Sequence, residues 1–574
     1  KEYMNYRATY SLIGQAGVLL ALGVLSGADA NAKHLSSEEA LSMIQSVVRK
    51  SASTAPLKLA YTQETGDAES TVYIFNRDGA PGFYVLAADD AVGDIVLGYS
   101  HAGYFSVDNM SPGMQWLLEA YSMHVSSCAA GKVKAAPAQP PADWSAIEPL
   151  VTTKWTQTAP YNNMCPVVLG ERSISGCVSV AVAQVMKKYQ WPKTGKGSCS
   201  YSYTLNGKTY DISSDFSKHR YDWDNMLDSY TGASTQTQKD AVAQLIFDCG
   251  VMAQTRYIPD GYTIGSSGSL VKAAGGMLEY FDYDKSMQCS RKEWFSDQDW
   301  DKMIYEQISQ GLPVLYSGQS YYGGHAFVLD GYDGAGLFHF NMGWGGLDDG
   351  YYSLDALEYN MDQEAVMNVR PNIGSSFKAE FAIEGNLVTD RAEYMANGER
   401  IQFMAEPDGG FLSYSLASGK AEIGVKNTAN GSVAINGSTE FKPQSGLRSF
   451  SLLSKDFPKG EYDVYPVFRV AGGDWTPMKY NIAETSGRLH FINDGSKIRV
   501  QSVEVDGIIS TEYDGLSVSA INGCIYIEAP YDVQISVYDV DGSLRYSGTD
   551  RIIPVENHRI YIVRVGDKVF KVKA

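Results

Sequence analysis

Basic side chains are scarce: Lys and Arg total 47 against 66 Asp and Glu in 574 residues, a formal net charge of −19 at pH 7. A chain of that charge repels phosphate backbones and anionic lipid surfaces, so nucleic acid is not an expected partner. Long apolar runs are also missing. The most apolar early stretch, Ala16 to Leu25, is about ten residues, half of what a membrane-spanning helix requires. Cysteine is sparse, with 7 residues, and no two of Cys128, Cys165, Cys177, Cys199, Cys249, Cys289 and Cys524 form a CxxC pair. A zinc staple or a dithiol redox motif is therefore not expected, and neither a metal nor an organic cofactor is implied. An odd count leaves at least one thiol unpaired. In an exported chain that thiol needs a use, and catalysis is one.

What is abundant is Gly (56) and Tyr (39), a mixture suited to strands joined by tight turns. The length calls for several domains. Near the start, Arg7 precedes the apolar stretch, and Ala28-Asp29-Ala30 and Ala30-Asn31-Ala32 follow it. That order of charge, apolar run and small-x-small sites predicts a signal peptide over 1–32 and a secreted or surface destination.

Residues 33–128 read as a small α+β unit. Ser36-Ser37-Glu38-Glu39 looks like a helix start ahead of an apolar face at Ala40, Met43, Ile44 and Val47. Strand-like runs follow at Thr71–Phe75, Gly82–Ala87 and Asp94–Tyr99, then a helical stretch from Pro112 to about Val125. Residues 129–145, with Pro137, Pro140, Pro141 and the isolated Lys132 and Lys134, have little with which to build structure. They are expected to form an exposed, cleavable linker. An aromatic, glycine-rich domain is predicted over 146–372. Beyond it, β-type alternation with Asn-Gly and Asp-Gly turns predicts a sandwich over 373–495 and a final β domain over 496–574.

The strongest chemical signal is Ser175-Gly176-Cys177 followed by VSVAVAQVMKKYQWP. Apolar residues at 178, 182, 185, 186 and 189 make a helical stripe that Pro192 stops, which places Cys177 at a helix N-terminus. Free N–H groups and the helix dipole there favour a thiolate. A lone cysteine in that position is more often a small apolar side chain starting a core helix. A thiolate needs a base, and His219, His325 and His339 are the candidates in the same predicted domain. His325 stands in GGHAFVLDGYD, where a glycine pair precedes a strand and would let a substrate backbone come close. The next run, LFHFNMGWGG, pairs with that strand as a hairpin and brings Asn341 near His325, where an amide could accept the imidazole N–H. Alone, Asn341 would more often be a turn residue. Upstream, Gln157 in TKWTQTAPYN could donate to a developing oxyanion together with the Cys177 N–H, although an isolated Gln is ordinarily a solvated surface residue.

Together WTQTAPYN, SGCVSVAVAQVMKKYQWP, GGHAFVLDGYD and FHFNMGWGGLDDGYYSLDAL resemble the streptopain family of bacterial cysteine peptidases. The resemblance implies an α+β chain: a papain-like catalytic domain, preceded by a small α+β prodomain and followed by β-sandwich domains. It implies an endopeptidase acting on proteins or peptides through a Cys177–His325 dyad, with Gln157 in the oxyanion hole and Asn341 and Trp344 around the histidine. YIFNRDGAPGFYVLAADD and IVLGYSHAGYF are similar to the family's inhibitory prodomain, which makes the prodomain an intramolecular partner. The last β domain is similar to sorting domains of type IX secretion cargo. Two departures stand out. Met342 occupies the place of a Trp that follows the family's Asn, and the family's glycine-rich loop is replaced by LDALEYNMDQEAVMNVRPN. Other readings of the chain are a catalytically silent adhesin, and Cys–His chemistry turned to acyl transfer or to cell-wall peptides.

Overall fold

The computed structural model describes residues 33–48, 55–65, 69–130, 141, 143–262, 265–320, 323–354, 357, 361–470, 472–482 and 485–503. From 517 onward it describes 517–521, 524–528, 534–539, 544–549, 551–555, 560–565 and 568–573. The signal-peptide expectation over 1–32 and most of the predicted linker lie outside these residues. The described residues fall into two compact units, 1–292 with 297–378, and 293–296 with 379–574.

The first unit is built on one ten-stranded sheet. Its N-terminal part supplies helix α1 (Ser37–Val48), strands β1 (Leu57–Glu64), β2 (Ser70–Arg77), β3 (Phe83–Ala87) and β4 (Val96–Ser100), and helix α2 (Pro112–Ala129). Helix α2 starts where Ser111 accepts the N–H of Met114 and Pro112 takes a first-turn position that needs no N–H donor. The middle of the unit holds α3 (Cys177–Tyr189), a β-hairpin of Ser198–Leu205 with Lys208–Asp215, α4 (Gln236–Met252) and α5 (Leu270–Tyr280). Next come β5 (Gln288–Arg291), α6 (Asp297–Ser309), β6 (Val314–Ser320), β7 (Gly323–Tyr332), β8 (Phe338–Asn341), β9 (Gly350–Tyr352) and β10 (Met361–Met367).

Across the sheet the order is β1-β2-β3-β4-β9-β8-β7-β6-β10-β5. The N-terminal meander and the later strands are thus joined edge to edge, with Tyr99 opposite Tyr351 and Gly98 opposite Tyr352. Glycine is required at 98, because a Cβ there would come within 2.3 Å of the Tyr352 ring. This fusion of two predicted domains into one sheet had no counterpart in the sequence reading. It hides two strand edges that would otherwise present unpaired backbone groups.

The second unit is all-β apart from short turns of helix. A five-stranded sheet centred on Phe381–Thr389 and Arg400–Ser413 and a seven-stranded sheet centred on Gly460–Val470 and Gly419–Asn427 enclose an aromatic core. In it, Phe403 stacks on Phe450 and Phe491, and Phe381 packs edge-on against Phe441. The C-terminal strands form a three-stranded and a four-stranded sheet around Val518, Ile525, Ile535, Val537, Val563 and Val565. The chain as a whole is α+β, with an N-terminal α+β module, a mixed middle and C-terminal β domains, as the sequence suggested.

Candidate active site

Helix α3 begins at Cys177 and ends at Tyr189, the bounds that the apolar stripe predicts. Its N-cap is Gly176 at φ 86°, a backbone conformation that glycine adopts without the cost a side chain would carry. Val178, Val180, Val182, Val185 and Met186 are buried, which anchors the helix through its apolar face, each side chain worth roughly 1.5–3 kcal/mol. Cys177 is only partly exposed, and the backbone N–H groups of Ala326, Val178 and Cys177 itself face its sulfur. Burial raises the thiol above its ordinary value and outweighs those donors. The helix terminus therefore does act in the predicted direction, but in this state desolvation wins and the group is a thiol.

Strand β7 carries His325 opposite Gly318 of β6, and β8 carries Asn341 opposite Val328 of β7. The imidazole is 5 % exposed. Its Nε2 donates to the carbonyl of Met342 at 3.0 Å. A carbonyl can only accept, so Nε2 holds the proton and Nδ1 is left as the free base of the neutral ring. Burial lowers the imidazole to about 4, against a smaller upward push from the Met342 carbonyl. Among the described residues no hydrogen bond joins His325 to Cys177. The two side chains are close, through Ala326, but not engaged.

Helix α2 packs against the histidine. A Cβ on Gly113 would lie 2.8 Å from His325 Nε2 and 3.3 Å from Met342 Sδ, so the first turn of α2 rests directly on the imidazole. One turn on, Trp116 sits against Gly318, where a Cβ would meet its ring at 2.8 Å, and packs edge-on to Phe327 at 5.8 Å. The N-terminal module covers the ledge on which His325 stands.

The remaining predicted residues converge on the same place. The Gln157 carbonyl accepts the Ser175 N–H at 3.0 Å, fixing the two segments side by side, and Gln157 is buried. Trp155 accepts from the N–H of Gly345 at 2.9 Å, which joins the Gln157 segment to the glycine loop after β8. Asn341 does not accept from His325. Its Oδ1 takes the Gln184 amide at 2.9 Å and the Gly343 N–H at 3.2 Å, and its Nδ2 donates to the Thr153 carbonyl. The acceptor expected of Asn341 is supplied by the main chain one residue on. Trp344 stacks at 6.5 Å from the His325 ring, and its buried Nε1 has no hydrogen-bond partner among the described residues. The other two histidines are committed elsewhere, His219 to Asp248 at 2.8 Å and His339 to Asp330 at 2.6 Å.

Three contributors were not anticipated. Gln184, fully buried on α3, accepts from Thr153 Oγ1 and Trp155 N and donates to Asn341, tying three motifs together. The Met342 carbonyl is backbone chemistry and leaves no mark in a sequence. Gly113 follows Pro112 in the first turn of α2, and nothing in the sequence marks it. The amide in the middle of the apolar VSVAVAQVM run was the one available signal, since a buried Gln must find partners.

A helix-borne cysteine, a strand-borne histidine and a covering N-terminal module define a cysteine endopeptidase that carries its own inhibitory module. Residues 155–352 match the Peptidase C10 family, and residues 32–125 match the Spi protease inhibitor family. Streptopain of Streptococcus pyogenes is 30% identical over 340 residues, covering 53% of this chain and 81% of streptopain. The thiol protease/hemagglutinin PrtT of Porphyromonas gingivalis is 28% identical over 348 residues, 56% of this chain and 39% of PrtT. Among solved structures, a Prevotella intermedia prointerpain A fragment is 31% identical over 55% of this chain and 99% of its own, with a TM-score of 0.49. The chain belongs to the Peptidase C10 family.

Proposed function

We propose that this chain is the zymogen of a secreted cysteine endopeptidase in which Cys177 is the nucleophile and His325 the general base. The observation that carries it is the protonation pattern of His325. In this parked state Nε2–H is held by the Met342 carbonyl; once His325 is released from it, the neutral Nδ1 can take the Cys177 proton, and Ala326 next to it already faces the sulfur. In the assembled site the thiol proton passes to His325, and the thiolate attacks the scissile carbonyl. The oxyanion is met by the Cys177 N–H and the Gln157 amide, a contribution on the order of 3 kcal/mol. The imidazolium then protonates the leaving amine, and the neutral ring takes a proton from water as it opens the thioester. In the precursor, Asn341 holds the loop whose Met342 carbonyl keeps His325 parked, and Trp344 stacks beside the imidazole.

In this reading residues 1–32 direct export, 33–128 are the prodomain, 129–145 the activation linker and 146–372 the peptidase, followed by β domains at 373–495 and 496–574. The last would address type IX secretion machinery. The prodomain inhibits by α2, which covers the histidine ledge. Iodoacetamide labelling with peptide mapping tests the assignment. Cys177 of the matured protein should be alkylated much faster than Cys177 of the precursor, and His325→Ala should abolish the gain. Equal rates in matured wild type and matured His325→Ala would refute the dyad.

A further inference from the structure

The segment that follows the glycine loop touches both the prodomain and the histidine. Asp348 is buried, and its Oδ2 accepts the backbone N–H of Ser111, the N-cap of α2, at 3.1 Å, with the Ser111 hydroxyl contributing as well. Its backbone is held at φ 62°, in the left-handed region that Asp tolerates better than most residues, and its carbonyl accepts from Tyr352 at 2.8 Å. The next residue faces the other way. The Asp349 carboxylate accepts the Met342 N–H at 2.8 Å, and the carbonyl of the same Met342 holds His325. The Asp349 carbonyl is itself bound by the hydroxyl of Ser100, at the end of β4.

These contacts form one unbroken relay: Ser111, Asp348, Asp349, Met342, His325. It closes on itself, because two residues after Ser111 comes Gly113, which lies against the imidazole. Asp348 is thus placed where prodomain docking and the position of His325 meet. Its carboxyl is raised by burial, a cost that the Ser111 donors of the prodomain offset in part.

We infer that Asp348 is a positioning residue that latches the prodomain to the peptidase and couples docking of α2 to the parked position of His325. The inference rests on the zymogen reading above. The linkage is reciprocal: whatever draws His325 away from Met342 weakens the hold on Ser111 by the same factor as docking disfavours that movement.

The test uses the full chain carrying Cys177→Ala, which blocks self-processing and makes the outcome independent of whether Cys177 is the nucleophile. Two readouts are taken. One is amide hydrogen exchange across 97–100 and 111–121. The other is the NMR titration midpoint of His325. Asp348→Ala should raise exchange in both segments at least five-fold, leave β6 and β10 unchanged, and move the His325 midpoint up from about 4 toward the ordinary value near 6.5. Asp348→Asn keeps an acceptor oxygen for Ser111 and should stay close to the parent. If Asp348→Ala does not fold, Ser111→Pro, whose ring suits the φ of −69° there, removes the N–H that Asp348 accepts and should shift both readouts in the same direction. An unmoved His325 midpoint in the variant that folds, or exchange that rises equally in β10, overturns the inference.

Discussion

Gly113→Ala should turn the inhibitory contact against itself. The added Cβ would lie 2.8 Å from His325 Nε2, 3.0 Å from Cδ2 and 3.3 Å from Met342 Sδ, the first of these closer than a Cβ can be accommodated. Either the imidazole leaves the Met342 carbonyl or the first turn of α2 lifts. Overpacking of this kind costs about 1–3 kcal/mol, while Gly to Ala in a helix returns up to about 1 kcal/mol. A net loss of about 1–2 kcal/mol weakens the parked arrangement roughly five- to thirty-fold. The assay is the first-order rate at which the precursor shortens to its mature size in mild reductant. The melting temperature of Gly113→Ala in a Cys177→Ala background reports that the fold is retained. A Gly113→Ala precursor that matures at the wild-type rate or more slowly, while still folded, would refute the claim that α2 parks the histidine.

Further expectations concern pH, the linker and the buried amide. In the Cys177→Ala precursor His325 should titrate near 4, and it should rise once the prodomain is removed. Because the docked state lowers this pKa, it disfavours protonation. The parked arrangement is undisturbed above 6.5 and loses roughly 3 kcal/mol as pH falls from 6.5 to about 4. Asp348 and Asp349, raised by burial, oppose this with the other sign, so the His325 part is read as the difference from a His325→Gln precursor. A cut in 131–140 should not by itself free the prodomain. Its strands stay paired through β4 and β9, and the downstream flank is held where Trp144 stacks on Tyr305 at 4.1 Å and Ile147 bridges to Tyr332. Size-exclusion chromatography of nicked Cys177→Ala protein should give one peak; two peaks would show that the sheet junction is too weak to hold it. Gln184→Leu leaves the Asn341 and Thr153 groups short of partners and should cost about 2–4 kcal/mol in urea unfolding, against no measurable change if those contacts are incidental.

What the sequence disclosed follows from what periodicity can encode. The stripe after Cys177 located α3 because each apolar position meets a core, and the run beginning at Pro112 located α2. Three of the four prodomain strands were legible, since Val72, Ile74, Val85 and Leu86 are buried within them. Strand β1 was not. It is the outermost strand of the sheet, with most of its residues exposed or half-buried, so LKLAYTQE carries no clear alternation. The edge-to-edge union of β4 with β9 was equally silent, because strand pairing is made by backbone groups. At the site, the side chains proposed to do the chemistry could be named from the sequence and their state could not. Helix-end chemistry at Cys177 argues for a thiolate, but burial desolvates the thiol, and the Met342 carbonyl takes the role expected of Asn341.

The central claim is that Cys177 opens peptide bonds once the prodomain releases His325. Purified precursor and its Cys177→Ala counterpart, incubated with a denatured protein substrate under mild reducing conditions, test it most directly. The wild-type chain should shorten by the mass of the prodomain and then digest the substrate, while Cys177→Ala does neither. Substrate cleavage by the Ala protein at the wild-type rate would contradict the account.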